Sequence, residues 1–273
     1  MNCLRFARRV PAGCRAAFLT LAILVIAPTL AGGQTRPDFT GVWSTTFTIP
    51  QDAAWRIEDY GCFLGCPVAV YQRLRELVKD PANNERPFEL LLVEAWQLAA
   101  TRLAAILTPE GLALRDQIGL DDAQVIRCEP LGFARQVTAP LPLRIDQRDD
   151  GVILSYEEWS VVRTIHMDGR GHPSDMPPSR HGHSIGRYEG STLVIETAGL
   201  KADSLWPEHG GGGYTDRLRT VERYTRDNGW LKLEFTLDDP KVLREPLVYE
   251  KVWRFTPGVE FLKHSCETIA GQP

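Results

Sequence analysis

Residues 217–237 read RLRTVERYTRDNGWLKLEFTL, and this stretch predicts a β-hairpin. In its second half Leu231, Leu233 and Phe235 alternate with polar residues. Since successive side chains of a strand point to opposite faces, one face of this strand should lie in the core and the other in solvent. The sequence Asp227-Asn228-Gly229 favours a tight turn, and so short a connection requires antiparallel neighbours.

Similar strand signals recur along the second half of the chain. Candidate strands lie near residues 37–49 and at 125–128, 133–138, 143–148, 152–156, 159–166, 184–188, 191–197, 217–226, 229–237, 246–255 and 259–266. Most are separated by short turn sequences such as Glu189-Gly190 and Pro257-Gly258. We therefore predict a mainly β protein, an antiparallel meander that closes into a β-barrel or stacks into a sandwich.

Residues 67–120 have a different, helical character. Val70, Leu74 and Leu77 recur at helical spacing, and the leucine- and alanine-rich stretch 88–107 favours helix by propensity. Thr108-Pro109 is typical of a helix N-cap followed by proline at the first helical position. We predict a helical insertion at about 67–120 within a single β-barrel domain that spans residues 34–273.

The N-terminal segment has the features of a secretory signal peptide. Residues 1–15 contain four arginines and no acidic residue, residues 16–31 are almost entirely apolar, and small residues occupy 31–33. The apolar run is shorter than the ~20 residues that a spanning helix needs. We therefore predict a signal peptide at 1–33 and a periplasmic or secreted mature protein.

The charge of the predicted mature chain argues against some partners. Removal of four arginines and no acidic residue changes the formal net charge from −4 to −8. Nucleic-acid binding needs a basic surface, so we expect no nucleic-acid partner. No later apolar stretch is long enough to span a bilayer, so we expect no membrane span after signal removal.

Four cysteines remain in the predicted mature chain: Cys62, Cys66, Cys128 and Cys266. An even number in an exported protein suggests two disulfides. A local bridge between Cys62 and Cys66 would leave Cys128 to pair with Cys266. Free thiols and a structural metal are the alternatives, and metal ranks last because C-x2-C spacing is absent.

Five of the six histidines fall between Arg163 and His209. Imidazole titrates nearest neutral pH and is the commonest metal ligand, so this window is the candidate site. If a metal is bound, the candidate ligands are His166, His172, His181 and His183. No fixed ligand pattern such as H-E-x-x-H occurs, and we therefore predict neither a metal nor an organic cofactor.

Metal-free acid–base chemistry is the leading interpretation of this window. A neutral histidine accepts a proton, and a paired carboxylate orients it. The hypothesised roles are His172 and His183 as acid or base, with Asp168 and Glu196 as orienting carboxylates. Arg170 would stabilise developing negative charge. The alternative is structural, because Asp-Gly-Arg favours a turn in which Arg170 clamps Asp168.

Charged residues within the predicted strands indicate a buried ion pair. Neighbouring strand residues face opposite ways, so one residue of Glu157-Glu158 and one of Glu222-Arg223 should point inward. A buried charge needs a partner. We predict that Arg163 pairs with either Glu157 or Glu222 inside the protein.

Several motifs occur in a recognisable order. They are DFTGVW (38–43), CEPLGFAR (128–135), RTIHMDGRGHP (163–173), GHSIGRYEGSTLVIET (182–197) and ERYTR (222–226). Over about residues 38–266 the chain resembles a large, mostly uncharacterised family of secreted bacterial proteins. The resemblance implies secretion and a β-rich, lipocalin-like body, and it implies no reaction. The chain departs from the family pattern in its helical segment at 67–107, in Tyr188 where tryptophan is expected, and in Ala134 where proline is expected.

Three functions compete at this level. The leading hypothesis is a cofactor-independent lyase or isomerase that catalyses elimination, isomerisation or cyclisation of a small, mainly apolar molecule. The second is a non-catalytic protein that binds a lipid, terpenoid or aromatic compound, since a barrel of about eight strands can enclose one small ligand. The third is a metal-dependent hydrolase or oxygenase.

Overall fold

The computed structural model describes residues 36–45, 66–117, 128–130, 132–204 and 212–264. The predicted signal peptide at 1–33, most of the predicted strand 125–128, and Cys62 and Cys266 lie outside these residues. Cys128 is disulfide-bonded. Its side chain is the only cysteine side chain within the described part, so the predicted pairings remain predictions.

Within the described residues, nine strands form a closed barrel. They are β1 (Gly41–Ser44), β2 (Leu143–Gln147), β3 (Gly151–Tyr156), β4 (Val162–His166), β5 (His183–Glu189), β6 (Thr192–Ala198), β7 (Arg219–Asp227), β8 (Trp230–Asp238) and β9 (Leu247–Phe255). Each strand pairs with the next in chain order, and β9 pairs back with β1. The predicted lipocalin-like barrel with its helical insertion is therefore confirmed.

One neighbouring pair in this barrel, β4 and β5, is parallel, with Ile165 opposite Ser184. A closed ring with an odd number of strands cannot alternate direction all the way round, so at least one pair must run parallel. Parallel neighbours need a crossover of a dozen or more residues, and the connection 167–182 supplies that length. All other barrel pairs are antiparallel, as the meander predicts.

Residues Phe133–Thr138 form a short helix, α4, where the sequence predicts a strand. All six residues are buried. The ring of Phe133 packs 6.2 Å from that of Phe235 on β8, and the backbone N–H of Phe133 donates to the hydroxyl of Tyr214 at 3.0 Å. The strand prediction is wrong for two reasons. A fully buried helix lacks the alternation of polar and apolar faces by which a sequence reveals a surface helix, and tertiary contacts outweigh the strand propensity of its residues.

The helical insertion comprises α1 (Val68–Lys79), α2 (Phe88–Ile106) and α3 (Pro109–Gln117). Helices α1 and α2 share an apolar cluster of their own, whose buried members are Val70, Leu74, Leu77, Leu91 and Ala95. Thr108 caps α3, since its hydroxyl accepts the backbone N–H of Gly111 at 3.0 Å. No helix in the described ranges is long and apolar enough to cross a membrane.

Candidate functional site

The candidate histidines on the strands point away from the barrel interior. Ile165 on β4 and Ser184 on β5 are both buried in the interior. Because neighbouring strand residues point to opposite faces, His166 and His183 lie on the outer wall. The connection 167–182, which carries the other candidates of this window, begins and ends at these two strands.

His172 and His183 form a hydrogen-bonded pair on this outer wall. Their Nδ1 atoms are 2.9 Å apart, and the ring of His166 stacks on His183 with centroids 4.9 Å apart. Two Nδ1 atoms at this distance share one hydrogen, so one ring donates while the other accepts. The pair therefore holds a proton that can pass from ring to ring, whereas a second proton on the accepting Nδ1 would break the bond.

Both rings of this pair have a lowered pKa. Burial is the main cause for His172, the positive charge of Arg219 adds to it, and the carboxylate of Glu196 opposes it. Burial is also the main cause for His183, followed by the neighbouring imidazoles and then by Arg170. A lowered pKa leaves the rings mainly unprotonated at neutral pH, which is the state in which imidazole accepts a proton.

A cavity of about 250 Å³ opens beside His172 on the outer face of β6, β7 and β8. We call it the outer groove. Its apolar lining includes Ala198, Val221 and Pro246. Its charged lining residues are Glu196, Arg219 and Asp238. The groove therefore offers a small apolar surface with charged groups and one imidazole at its boundary.

Glu196 lines the outer groove but is engaged by another residue. Its carboxylate accepts a short hydrogen bond from Arg187, which also pairs with Glu189. The structure records no hydrogen bond between Glu196 and an imidazole within the described part of the chain. Glu196 therefore acts on His172 through its charge, which raises the pKa of His172.

Asp168 and Arg170 form an ion pair on an exposed turn. Arg170 Nε donates to both oxygens of Asp168 at 2.8 Å, and the backbone N–H of Arg170 donates to the same carboxylate at 3.2 Å. These hydrogen bonds lower the pKa of Asp168 to about 2. About half of each side chain is exposed. The pair therefore fits the structural alternative, a turn in which Arg170 clamps Asp168.

Within the described residues, His181 has no hydrogen bond or ring contact with the other imidazoles, whereas His183 contacts both His166 and His172. Burial, with help from the positive charges of Arg163 and Arg180, lowers the pKa of His181 to about 4. Among the described residues, no group of three or more His, Cys, Asp or Glu side chains is arranged to hold a metal ion. His166, His172, His181 and His183, which we considered as metal ligands, do not form such a group.

The barrel interior contains the predicted ion pair, and Glu222 is the partner of Arg163. The guanidinium of Arg163 donates to the two carboxylate oxygens of Glu222 at 2.7 and 3.1 Å. Both side chains are almost completely buried. Further members of the network, which the sequence did not predict, are Tyr156, Ser184, Thr197 and Tyr224.

Sequence reasoning missed the part of the outer groove that β7 and β8 provide. Arg219 and Asp238 face each other across these two strands. Both residues lie on the polar face of the hairpin, which alternation alone identifies. Their closeness to His172 depends on the pairing of β6 with β7, and no local pattern reveals that pairing.

No family model matches the chain, and no curated protein matches it. Among solved structures, the chain is similar to the REP1-NXSQ fatty acid transporter, with a TM-score of 0.27, 7% identity, and coverage of 42% of this chain and 69% of that chain. It is also similar to the fluorescent protein UnaG, with a TM-score of 0.25, 18% identity, and coverage of 42% and 72%. These TM-scores are too low to transfer a ligand to this chain.

Proposed function

We propose that the protein binds a small molecule in the outer groove and that the His172–His183 pair transfers a proton on that molecule. The observation that carries the proposal is the hydrogen bond between the two Nδ1 atoms, 2.9 Å long, at the wall of a cavity. The reaction class is proton-shuttle chemistry such as elimination, isomerisation or cyclisation, which needs no organic cofactor.

The dimensions and lining of the groove describe the molecule. Its volume of about 250 Å³ lies just below the roughly 300–1,000 Å³ of typical small-molecule sites, so the ligand is small. Ala198, Val221 and Pro246 suit an apolar body. The charged residues around them suit a polar group at one end of the molecule.

The two imidazoles have different tasks in this proposal. His172 lines the groove, so it is the residue that exchanges a proton with the ligand. His183 does not line the groove and acts through His172. It holds His172 through their shared hydrogen bond and exchanges a proton with it, so we call it a positioning residue. His166 stacks on His183 and restricts the orientation of that ring.

Filling the groove is expected to abolish ligand binding. Benzylacetone, which has an aromatic ring and one carbonyl group, is a suitable probe, and ligand-observed NMR would measure its binding. Val221→Trp should remove the signal because the indole would occupy the apolar floor. Val162→Trp is the matched control, since Val162 is 62% exposed on the outer face of β4. Equal binding by both variants would place the site elsewhere.

Replacing His172 by Gln is expected to slow deuterium exchange at the carbons next to the carbonyl of benzylacetone by roughly 100-fold. Proton NMR in deuterated buffer measures this rate. His183→Gln should shift the pH profile of exchange, because it changes the hydrogen-bond partner of His172. His264→Gln is the control, since the ring of His264 packs against Trp159 and does not line the outer groove. If benzylacetone binds but its deuterium exchange is no faster than in buffer alone, the protein binds the ligand without catalysing proton transfer.

A further inference from the structure

The charged side chains that line the outer groove differ in whether they have an ion-pair partner. The carboxylate of Glu196 has an ion-pair partner, Arg187. In the described structure the side chain of Arg219 has no recorded hydrogen bond or ion pair, although it lines the same groove. Arg219 and His172 line the same cavity, and the positive charge of Arg219 helps to lower the pKa of His172. The groove therefore presents a guanidinium that has no ion-pair partner among the described residues, next to the proposed proton-transfer group.

Of the two described acidic residues that line the groove, Glu196 is paired with Arg187, and Asp238 is the one left to compete for this cation. It lies opposite Arg219 in the register of β7 and β8. The side chains of Arg219 and Asp238, both in the described part of the chain, do not approach within 4.0 Å as an ion pair. Both residues are exposed, and surface pairs of this kind contribute little in water. Asp238 thus leaves the Arg219 guanidinium available to a ligand.

We infer that the ligand of the outer groove carries a carboxylate, which Arg219 binds while the apolar part of the ligand lies on Ala198, Val221 and Pro246. This inference rests on the proposed function and names its substrate class, a small carboxylic acid with an apolar body. The planar guanidinium presents two parallel N–H donors to a carboxylate, and such charged hydrogen bonds are roughly twice as strong as neutral ones.

A carboxylate at Arg219 has a consequence for the imidazole pair. Without ligand, the positive charge of Arg219 helps to lower the pKa of His172. A bound carboxylate would neutralise that charge, so the pKa of His172 should rise on binding. His172 then holds a proton taken from the substrate more easily, because its protonated form is no longer opposed by Arg219.

The test compares two probes of nearly the same shape. Hydrocinnamate and benzylacetone share the phenylethyl group, and they differ in that one ends in a carboxylate and the other in a methyl ketone. We expect hydrocinnamate to bind about ten-fold more tightly at low salt, measured by ligand-observed NMR titration. Arg219→Gln should remove this difference. Arg217→Gln is the matched control, because Arg217 is an exposed arginine two residues away.

Each outcome of the test has a defined meaning. If benzylacetone binds and hydrocinnamate binds no more tightly, or if Arg219→Gln leaves the preference intact, the carboxylate inference is wrong and the proposed function stands. If neither probe binds, both the proposed function and the carboxylate inference are wrong. Asp238→Asn supplies an independent check. It should strengthen hydrocinnamate binding a few-fold by removing a negative charge near the bound carboxylate, and this gain should exceed any change in benzylacetone binding.

Discussion

Replacing Arg163 by Met is expected to lower the free energy of unfolding by about 3–5 kcal/mol, because it leaves an uncompensated charge in the core. Arg163 and Glu222 are both buried in the barrel, with 2% and 0% of their side chains exposed. Without the guanidinium, the hydroxyl of Tyr224 remains as a hydrogen-bond donor to the carboxylate, at 2.8 Å. Urea unfolding followed by tryptophan fluorescence measures the change.

Two further variants separate the charge effect from the packing effect. The double variant Arg163→Met with Glu222→Met should recover most of the lost stability, since apolar residues of similar volume often replace a buried ion pair without loss. Arg73→Met is the surface control, because it breaks partly exposed pairs with Glu76 and Glu94 and should change stability much less. A double variant no more stable than Arg163→Met would contradict this account.

Thermal stability is expected to rise between about pH 7 and pH 9, and Lys251→Met should remove this rise. Lys251 is fully buried, where its ammonium group donates to the backbone carbonyls of Thr138 and Ala139 at the end of α4. Burial lowers the pKa of Lys251 to about 7, and the negative charge of Glu158 opposes the shift. Differential scanning calorimetry across this pH range measures the effect.

The direction of this pH dependence follows from proton binding. A lysine in the unfolded chain keeps its ordinary pKa of 10.5, so above about pH 7 the unfolded state binds more protons than the folded state. Stability therefore rises with pH in this window. Burial raises the pKa of Tyr156 to about 12, and this opposes the trend once unfolded tyrosines ionise near pH 10.

The control for this experiment is Lys232→Met, which removes an exposed lysine from β8. It should retain the rise in stability of the unmodified protein. Glu158 has a pKa raised by burial, so its contribution to stability falls as pH rises above the ordinary carboxyl range, which is opposite in direction to the effect of Lys251. A stability curve that is flat from pH 7 to pH 9 in the unmodified protein would refute the proposed behaviour of Lys251.

Much of the barrel could be predicted because strand signals are local. The alternation around Leu233 and the turn at 227–229 predict a hairpin, and the structure has β7 and β8 there. Residues 133–138 could not be predicted in the same way. Their helix is surrounded by barrel side chains, so its sequence carries no amphipathic pattern, and distant contacts with Phe235 and Lys251 hold it.

The candidate site was predictable in composition and not in position. The motif 163–173 and the nearby His183 indicate that imidazoles are concentrated here, and two of them form a hydrogen bond. The place of His183 on the outer wall follows from the register of β4 and β5. A shift of one residue would turn His183 inward, because side chains alternate with a period of two.

Order along the chain was therefore sufficient to predict the β architecture, the helical insertion and an interior carboxylate partner for Arg163, although it left Glu157 and Glu222 as alternatives. These features depend on the alternation of side chains along a strand, which involves only neighbouring residues, and on the cost of burying an unpaired charge, which depends on residue type. The outer groove required the folded molecule. Its residues come from segments as far apart as His172 and Pro246, and only strand pairing brings them together.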